Sequence, residues 1–490
     1  MTVILNTGYT TNSSTRTIQD LSPELLSYIF FMATHHLQDR AGSILQPITI
    51  SHVSSRWREI AISTRALWTS IILSFPIFPS QLLRSQIWLS RSYPLPIDIF
   101  LDFRDPSWGW EEDSDSVGFP LELMVPILRF LLADVKRWRH FELLTDTWAP
   151  IFTFLRDTRD VEAAPLLRSI SLSRCNAYFA SKGAVFQPVQ FRDPIPLFGG
   201  LALDALRDVS LVGVHVDWAQ SSLRNLTSLT FKYQASGVMP SLDQFIDILS
   251  GCPELRHLCI VGWGPQFEKP TVQEIWDPSP KFIHLRHLID FYFGFVDVDY
   301  ALKVLSLFHF PSVQSLGLED VSFTLHPELE HENATPILDW LTSNDSELSD
   351  VSTLAAIPRT ASSCGISLNG ILSLRLDSID ANVPAFSRFF SALISLQKLD
   401  LSNMESSALE TLHPSSDPCH HHPCPNLTDL ECRNVDPTAL VDLVGLREIK
   451  EIPLKSILFE SHNPLSQDDF DNLDRVGVRV EMSETETFEC

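Results

Sequence analysis

Apolar residues in the first hundred positions recur at helical spacing. Leu25, Leu26, Ile29 and Phe30 fall on one face of a helix predicted over 18–33. Its entry is marked by Ser22 as a cap, Pro23 at the first helical position and Glu24 at the positive helix end. A polar connector is expected over 35–46. Ile50, Val53, Trp57, Ile60 and Ala61 then make a second stripe, with Arg56, Arg58 and Glu59 off it. Ser63 or Thr64 can cap a third short helix bearing Leu67, Trp68 and Ile71. A fourth helix is predicted over 81–91. After it the period changes: Ile97, Ile99 and Leu101 alternate as in a strand.

From there a motif repeats, Leu-x-x-Leu-x-Leu or an apolar equivalent. Copies include Trp138/Phe141/Leu143, Leu206/Val209/Leu211, Leu255/Leu258/Ile260, Leu396/Leu399/Leu401 and Leu454/Ile457/Phe459. A degenerate copy starts at Leu285/Leu288, with Asp290 in its third slot. From Leu206 onward most copies begin 25 to 31 residues apart, with one gap of 58 between Val313 and Ile371. Helical stretches lie between copies, such as Leu242-Phe245-Ile248-Leu249 and Phe386-Phe389-Phe390-Leu393, and several end at a proline before the next strand. Strand and helix alternating at this period predict a leucine-rich-repeat solenoid, or horseshoe. The three apolar positions of each copy face the core, and the residues between them line the concave face of a parallel sheet. The predicted class is α+β: a small all-α head at 18–92, then the repeat body at 93–480. Loops are expected at 106–118 (acidic) and 342–365 (Ser/Asp-rich), a disordered tail at 1–17 and an acidic tail at 481–490. The 342–365 loop lies inside the 58-residue gap and has room to hide a further repeat.

Charge narrows the partners. The chain of 490 residues carries a formal charge of −25, which argues against nucleic acid, since phosphate binding needs a basic face. The charge is unevenly spread. Between 18 and 92 there are six basic residues (Arg40, Arg56, Arg58, Arg65, Arg84, Arg91) and four acidic ones (Asp20, Glu24, Asp39, Glu59), so the head is slightly basic and the body strongly acidic. That asymmetry fits an acidic partner for the head and basic or neutral partners for the body. The eight cysteines are scattered and form no disulfide framework. Cys419-His420-His421-His422-Pro423-Cys424 offers zinc-type ligands, but its Cys-x4-Cys spacing has no second pair, so a polar inter-repeat loop is the favoured reading and no metal or other cofactor is expected. The sequence contains no Gly-x-Gly-x-x-Gly, Walker loop, Gly-x-Ser-x-Gly or His-Glu-x-x-His. A non-enzymatic protein is therefore expected. No secretory leader or membrane span is expected either, and a cytoplasmic or nuclear location follows.

The opening segment resembles an F-box, of the large class found in mushroom-forming fungi. The resemblance lies in Leu21-Ser22-Pro23-Glu24-Leu25-Leu26 with Ile29-Phe30, in Val53-Ser54-Ser55-Arg56-Trp57-Arg58-Glu59-Ile60-Ala61, and in Leu67-Trp68. Ser22 and Ser54 stand where the family usually has proline and cysteine. The body resembles the family more loosely, as in Leu197-Phe198-Gly199-Gly200 followed by Leu206-Arg207-Asp208-Val209-Ser210-Leu211. The resemblance implies an F-box protein with a leucine-rich-repeat-like body that docks on a Skp-type adaptor of a cullin-based (SCF-type) ubiquitin ligase. Its repeats would recruit a protein substrate for ubiquitin-dependent degradation. By position, Leu21, Pro23, Leu25, Leu26, Ile29, Val53 and Trp57 would meet the adaptor, while Trp57 and Trp68 fit equally as internal anchors. The candidate substrate-binding residues on the concave face are Asp208, Ser210, Thr230, His257, His287, Arg375, Lys398, Asp400, Asp429 and Glu431. The alternative is a non-catalytic binding scaffold outside any ligase.

Overall fold

Ser54 interrupts what the apolar spacing presents as one helix. Its backbone is extended, and its Oγ accepts a hydrogen bond from the Trp57 amide at 3.1 Å, starting a new helix. The computed structural model describes residues 18–35, 40–105, 121–174, 180–267, 283–322, 332–343, 365–414, 422–461 and 466–482. It opens with helices α1 (Pro23–His35), α2 (Arg40–Val53) and α3 (Ser55–Ser63). The expected connector is thus helical from Arg40. Its stripe is Ile44, Pro47, Ile48 and Ser51, at helical spacing, and it escapes notice because Pro47 reads as a breaker when it is in fact buried. Leu26, Phe30, Ile50, Ile60, Ala61 and Leu67 fill the space between the three helices.

Ile71 does not continue a third helix. A 3-10 turn at Arg65–Trp68 leads straight into strand β1 (Ser70–Ser74), so the sheet begins inside the segment expected to be all helical. Trp68-x-x-Ile71-x-Leu73 is itself a copy of the repeat motif, with all three side chains buried. The parallel with β3 (Trp138–Thr145) is close. Trp68 Nε1 donates to the Ala61 carbonyl at 2.9 Å, and Trp138 Nε1 donates to the Leu131 carbonyl at 3.2 Å, each seven residues upstream. Trp68 also meets Trp88 edge-on at 4.8 Å and carries the Arg91 guanidinium 4.3 Å above its ring. Trp88 and Arg91 belong to helix α4 (Pro79–Ser92). That helix also closes the free edge of β1. The Gln81 side-chain amide exchanges two hydrogen bonds with the Ser74 backbone at 3.0 Å, and Arg84 Nη2 donates to the Ile72 carbonyl at 3.3 Å. Capping an edge with side chains removes a site for unwanted strand pairing.

The chain is mixed α/β, with thirteen α-helices and a fourteen-stranded parallel sheet among the described residues. After β1 the strands are β2 (Ile97–Asp102), β3, β4 (Ser169–Arg174), β5 (Asp208–Val212), β6 (Ser228–Lys232) and β7 (His257–Val261). They continue through β9 (Asp290–Phe295), β11 (Ser315–Asp320), β13 (Ser373–Asp377), β14 (Lys398–Ser402), β15 (Asp429–Arg433), β16 (Ser456–Ser461) and β17 (Arg479–Met482). They lie side by side in sequence order, every pairing parallel. Short strands β8 (Ile283–His284), β10 (Phe308–Phe310) and β12 (Gly365–Ile366) form a separate parallel sheet.

The inward positions of the motif are buried in strand after strand and join one apolar cluster that runs from Leu26 to Val478. Helices between strands cover it. They include α5 (Leu121–Leu132), α6 (Trp148–Asp157), α7 (Leu242–Ser250), α8 (Val298–Leu305), α9 (Thr335–Thr342), α10 (Val383–Ala392), α11 (Ser406–Glu410), α12 (Pro437–Ile449) and α13 (Gln467–Arg475). The degenerate copy is out of register with its prediction. The buried triad is Leu288/Phe291/Phe293, three residues later than Leu285, because phenylalanines occupy the usual leucine slots. The 58-residue gap adds no strand to the large sheet, since β11 pairs directly with β13. The predicted loop at 106–118, most of that at 342–365, and the tail at 1–17 lie outside the described residues. Of the expected acidic tail, Glu481 and Met482 belong to β17 and pair with Glu460 and Ser461 of β16, and 483–490 lie outside the described residues.

Two consequences are measurable. Trp68→Ala removes a fully buried indole that ties α3, α4 and β1 together, and it is expected to cost about 3–5 kcal/mol in urea unfolding; a loss below about 1 kcal/mol contradicts the anchoring role given to Trp68. His215 is buried, stacked on Trp148 at 4.7 Å and edge-on to Phe186 at 4.5 Å, and its Nε2 lies 3.0 Å from the Arg192 carbonyl. Burial pushes its pKa down to about 4. The unfolded chain therefore takes up this proton first, near pH ~6.5. Stability from this group is complete above that value and falls, by up to about 3 kcal/mol, as pH drops toward 4. His215→Phe should flatten the pH dependence in that window relative to the unsubstituted chain.

Candidate functional site

Two surfaces stand out, one on the first helices and one on the sheet face turned away from the helices. On α1 several of the residues that do not fill the helical core are apolar and exposed. Leu25 is 54 % exposed, Tyr28 62 % and Ile29 41 %, and Val53 at the end of α2 is 60 % exposed. Pro23 is exposed and Leu21 half-buried. The Leu21 carbonyl accepts a 2.6 Å hydrogen bond from Arg56 Nη2, which ties the entry of α1 to α3. Two of the seven predicted contact residues are placed differently. Leu26 is fully buried in the core and offers no surface. Trp57 is half-buried, its ring 4.8 Å from Phe30, so much of it serves the interior. Trp68 is wholly internal. At the start of α1, the backbone amide of Glu24 and then the Ser22 hydroxyl lower the Glu24 pKa, as suits a carboxylate at a helix N-terminus.

On the sheet, parallel register lines up the outward residues in rows. One row reads Asp208, Ser228, His257, Asp290, Ser315, Ser373, Lys398 and Asp429 across β5 to β15. The next reads Ser210, Thr230, Cys259, Tyr292, Gly317, Arg375, Asp400 and Glu431. Nine of the ten predicted residues fall on these two rows. His287 does not: it sits in the turn before β9, with Nε2 3.9 Å from Glu254 Oε1. The misplacement follows from the register of the degenerate copy. The outward positions of that copy belong to Asp290 and Tyr292 instead.

Ion pairs cross the second row and its neighbour. Arg433 Nε lies 2.8 Å from Glu460, its Nη1 3.2 Å from Asp400, and Lys398 Nζ lies 2.8 Å from Glu431. Arg375 reaches Asp377 at 3.4 Å and Asp400 at 3.9 Å. Asp400 is thereby only 8 % exposed, so it braces the sheet rather than facing a ligand. Burial raises its pKa, with Arg433 and Arg375 opposing. Beside this network lies Tyr292, which sequence reading passed over. Its ring lies across β11 because Gly317 leaves the space; a Cβ there would overlap ring atoms Cδ2 and Cε2. The Tyr292 hydroxyl donates to Glu319 Oε2 at 2.8 Å, and Lys232 and Arg375 lie 5.9 and 5.7 Å from the ring centroid. Burial and then Glu319 raise the phenol pKa, keeping it a donor. The signal for this arrangement in sequence is an aromatic opposite a glycine on adjacent strands, which is legible only once register is known.

Of the Cys/His cluster, 419–421 lie outside the described residues. Cys424 is buried, its Sγ 3.4 Å from the Phe390 carbonyl, and burial pushes its thiol up to about 12. Arg447 holds the Cys424 carbonyl at 3.1 Å. Among the described residues no three His, Cys, Asp or Glu side chains gather as a metal site, and no helix is long and apolar enough to cross a membrane. No protein-family model matches the chain, and no curated protein is similar to it.

Gly317→Ala should displace the Tyr292 ring and cost about 1–3 kcal/mol as local overpacking. Adding Tyr292→Ala should recover most of that loss. A double-mutant cycle in urea that shows simple additivity would mean that the two residues are not in contact.

Proposed function

We propose that the chain is the substrate-recognition subunit of a cullin-based ubiquitin ligase. On this reading 18–92 is an F-box that docks on a Skp-type adaptor, and the strands and helices after it form a leucine-rich-repeat-like solenoid whose polar face binds the substrate. The observation that carries the proposal is the exposed apolar set Leu25, Tyr28, Ile29 and Val53 on a helical segment whose own core is already filled. Apolar side chains left over in this way call for a covering partner. Leu25, Ile29 and Val53 are motif positions at which the sequence resembles an F-box, and Tyr28 lies between the first two. Leu26 and Trp68 then act as internal supports, and Trp57 only in part as a contact.

The mechanism needs no catalytic side chain in this protein. Trp68, shared between the helical segment and the first strand, makes the two move as one piece. A substrate on the polar face is thus held at a fixed offset from the adaptor, which raises the effective concentration of its lysines near a charged ubiquitin carrier. The second reading, a binding scaffold outside any ligase, uses the same polar face and leaves the apolar set to another partner.

Leu25→Asp combined with Ile29→Asp distinguishes the readings. Both residues are exposed, so folding should persist. Co-purification with a Skp-type adaptor and cullin should fall at least about tenfold, the loss of roughly 1.4 kcal/mol or more expected for charges placed in an apolar interface. Undiminished adaptor binding by this variant, or no adaptor binding by the unsubstituted chain, would falsify the ligase reading.

A further inference from the structure

Among the described residues of β5 to β16, the cations on the two rows and on the next outward position are already engaged. Lys398 pairs with Glu431, Arg433 with Glu460 and Asp400, Arg375 with Asp377, and Lys232 lies by the Tyr292 ring. Carboxylates are what remain to meet a partner. Asp208 is met by the Ser169 hydroxyl at 3.4 Å, and Asp290 faces the His257 imidazole at 3.6 Å. Both are half-buried on the same row, with Ser228 and His257 between them. Beyond Asp290 the row continues as Ser315 and Ser373, short hydroxyl side chains that leave room for a backbone and can hydrogen-bond to it. The whole chain, at −25, adds a long-range field of the same sign.

We propose that this row receives an extended, basic segment of the partner protein, lying across the strands, with two cationic side chains four residues apart that meet Asp208 and Asp290. The spacing follows from the sheet. Asp208 on β5 and Asp290 on β9 are separated by three strand steps, or about 14 Å at roughly 4.8 Å per step, which four residues of extended chain span at about 3.4 Å each. On these rows and the next outward position, an acidic segment would meet Lys398, Arg375, Arg433 and Lys232, which already have carboxylate or aromatic partners. This inference rests on the reading that the polar face binds the substrate, and it gives that substrate a chemistry.

The test uses the full chain and labelled peptides of about twelve residues in a Gly/Ser/Thr background, long enough to cross the row. The peptides carry two Arg at spacings from two to six residues, or two Glu at a spacing of four, and binding is followed by fluorescence anisotropy at fixed salt. The peptide with Arg four apart should bind at least about threefold tighter than those with Arg two or six apart. Asp208→Asn with Asp290→Asn should remove that preference and weaken binding about tenfold, while Glu410→Gln with Asp442→Asn, in the groove between helices α10, α11 and α12, should leave it unchanged. Urea midpoints equal to that of the unsubstituted chain establish that the variants are folded; if the double variant is not, Asp290→Asn alone should halve the preference. Equal binding of the Glu peptide, no dependence on spacing, or an equal loss in the helix-side variant overturns the proposal. Adaptor co-purification is measured on the same samples. Peptide selectivity without adaptor binding defeats the ligase reading and leaves this one standing, and adaptor binding without selectivity does the reverse.

Discussion

No strand and helix of this chain can bury its own apolar face. Each copy of the motif turns three large side chains to one side of a short strand, and a single covering helix leaves them open at both flanks. The flanks close only when the next copy lies alongside in the same register. Parallel pairing in sequence order does this, and the result is one apolar cluster rather than a series of small ones. The backbone bonds follow the same logic, since each strand is satisfied by its neighbours. The first strand, which has a neighbour on one side only, takes its missing partners from Gln81 and Arg84.

That constraint explains why the helical segment is continuous with the sheet. Trp68 is the last large residue of the helical packing and the first of the strand motif, so the boundary between the two parts lies within one side chain. A helix bundle joined by a linker would be free to pivot. A bundle that shares a buried indole with β1, gripped by Trp88 and Arg91 from α4, is not. On the proposed function this rigidity matters, because a recruiting protein acts by fixing distance.

The outward face obeys a different rule. Register brings residues from distant parts of the chain into rows whose members lie about 4.8 Å apart, and there they either neutralise one another or remain available. Around β13 to β16 they neutralise: Arg375 and Arg433 are shared among Asp377, Asp400 and Glu460. Such pairs stiffen the face and cost little to keep because they are only partly withdrawn from water. Toward β5 to β9, Asp208 and Asp290 have a hydroxyl and an imidazole beside them instead. Tyr292, flat above Gly317, stands between the two regions.

Much of this was legible in the sequence. Motif spacing located β3 to β7, β11 and β13 to β16 and their inward residues, because a three-point apolar pattern depends on side-chain period alone. The exposed apolar residues Leu25, Ile29 and Val53 were likewise among those singled out. What escaped were facts set by packing between elements. Pro47 inside α2 goes against local preference for the sake of tertiary burial, whereas the break at Ser54, a favoured cap, and the strand character of Ile71, a β-branched residue, were hidden by an apolar spacing that also fits a helix. The slip at β9, where Phe291 and Phe293 replace leucines, moved a predicted site residue, His287, off the sheet. Leu26 and Leu25 are adjacent leucines with the same propensity, yet one is buried and the other exposed, and only the neighbouring helices determine which. Inward leucines at this spacing must stack into a repeated parallel sheet, and that much follows from the order of residues. Which polar residues meet across the sheet depends on register between strands far apart in the chain, and folding alone settles it.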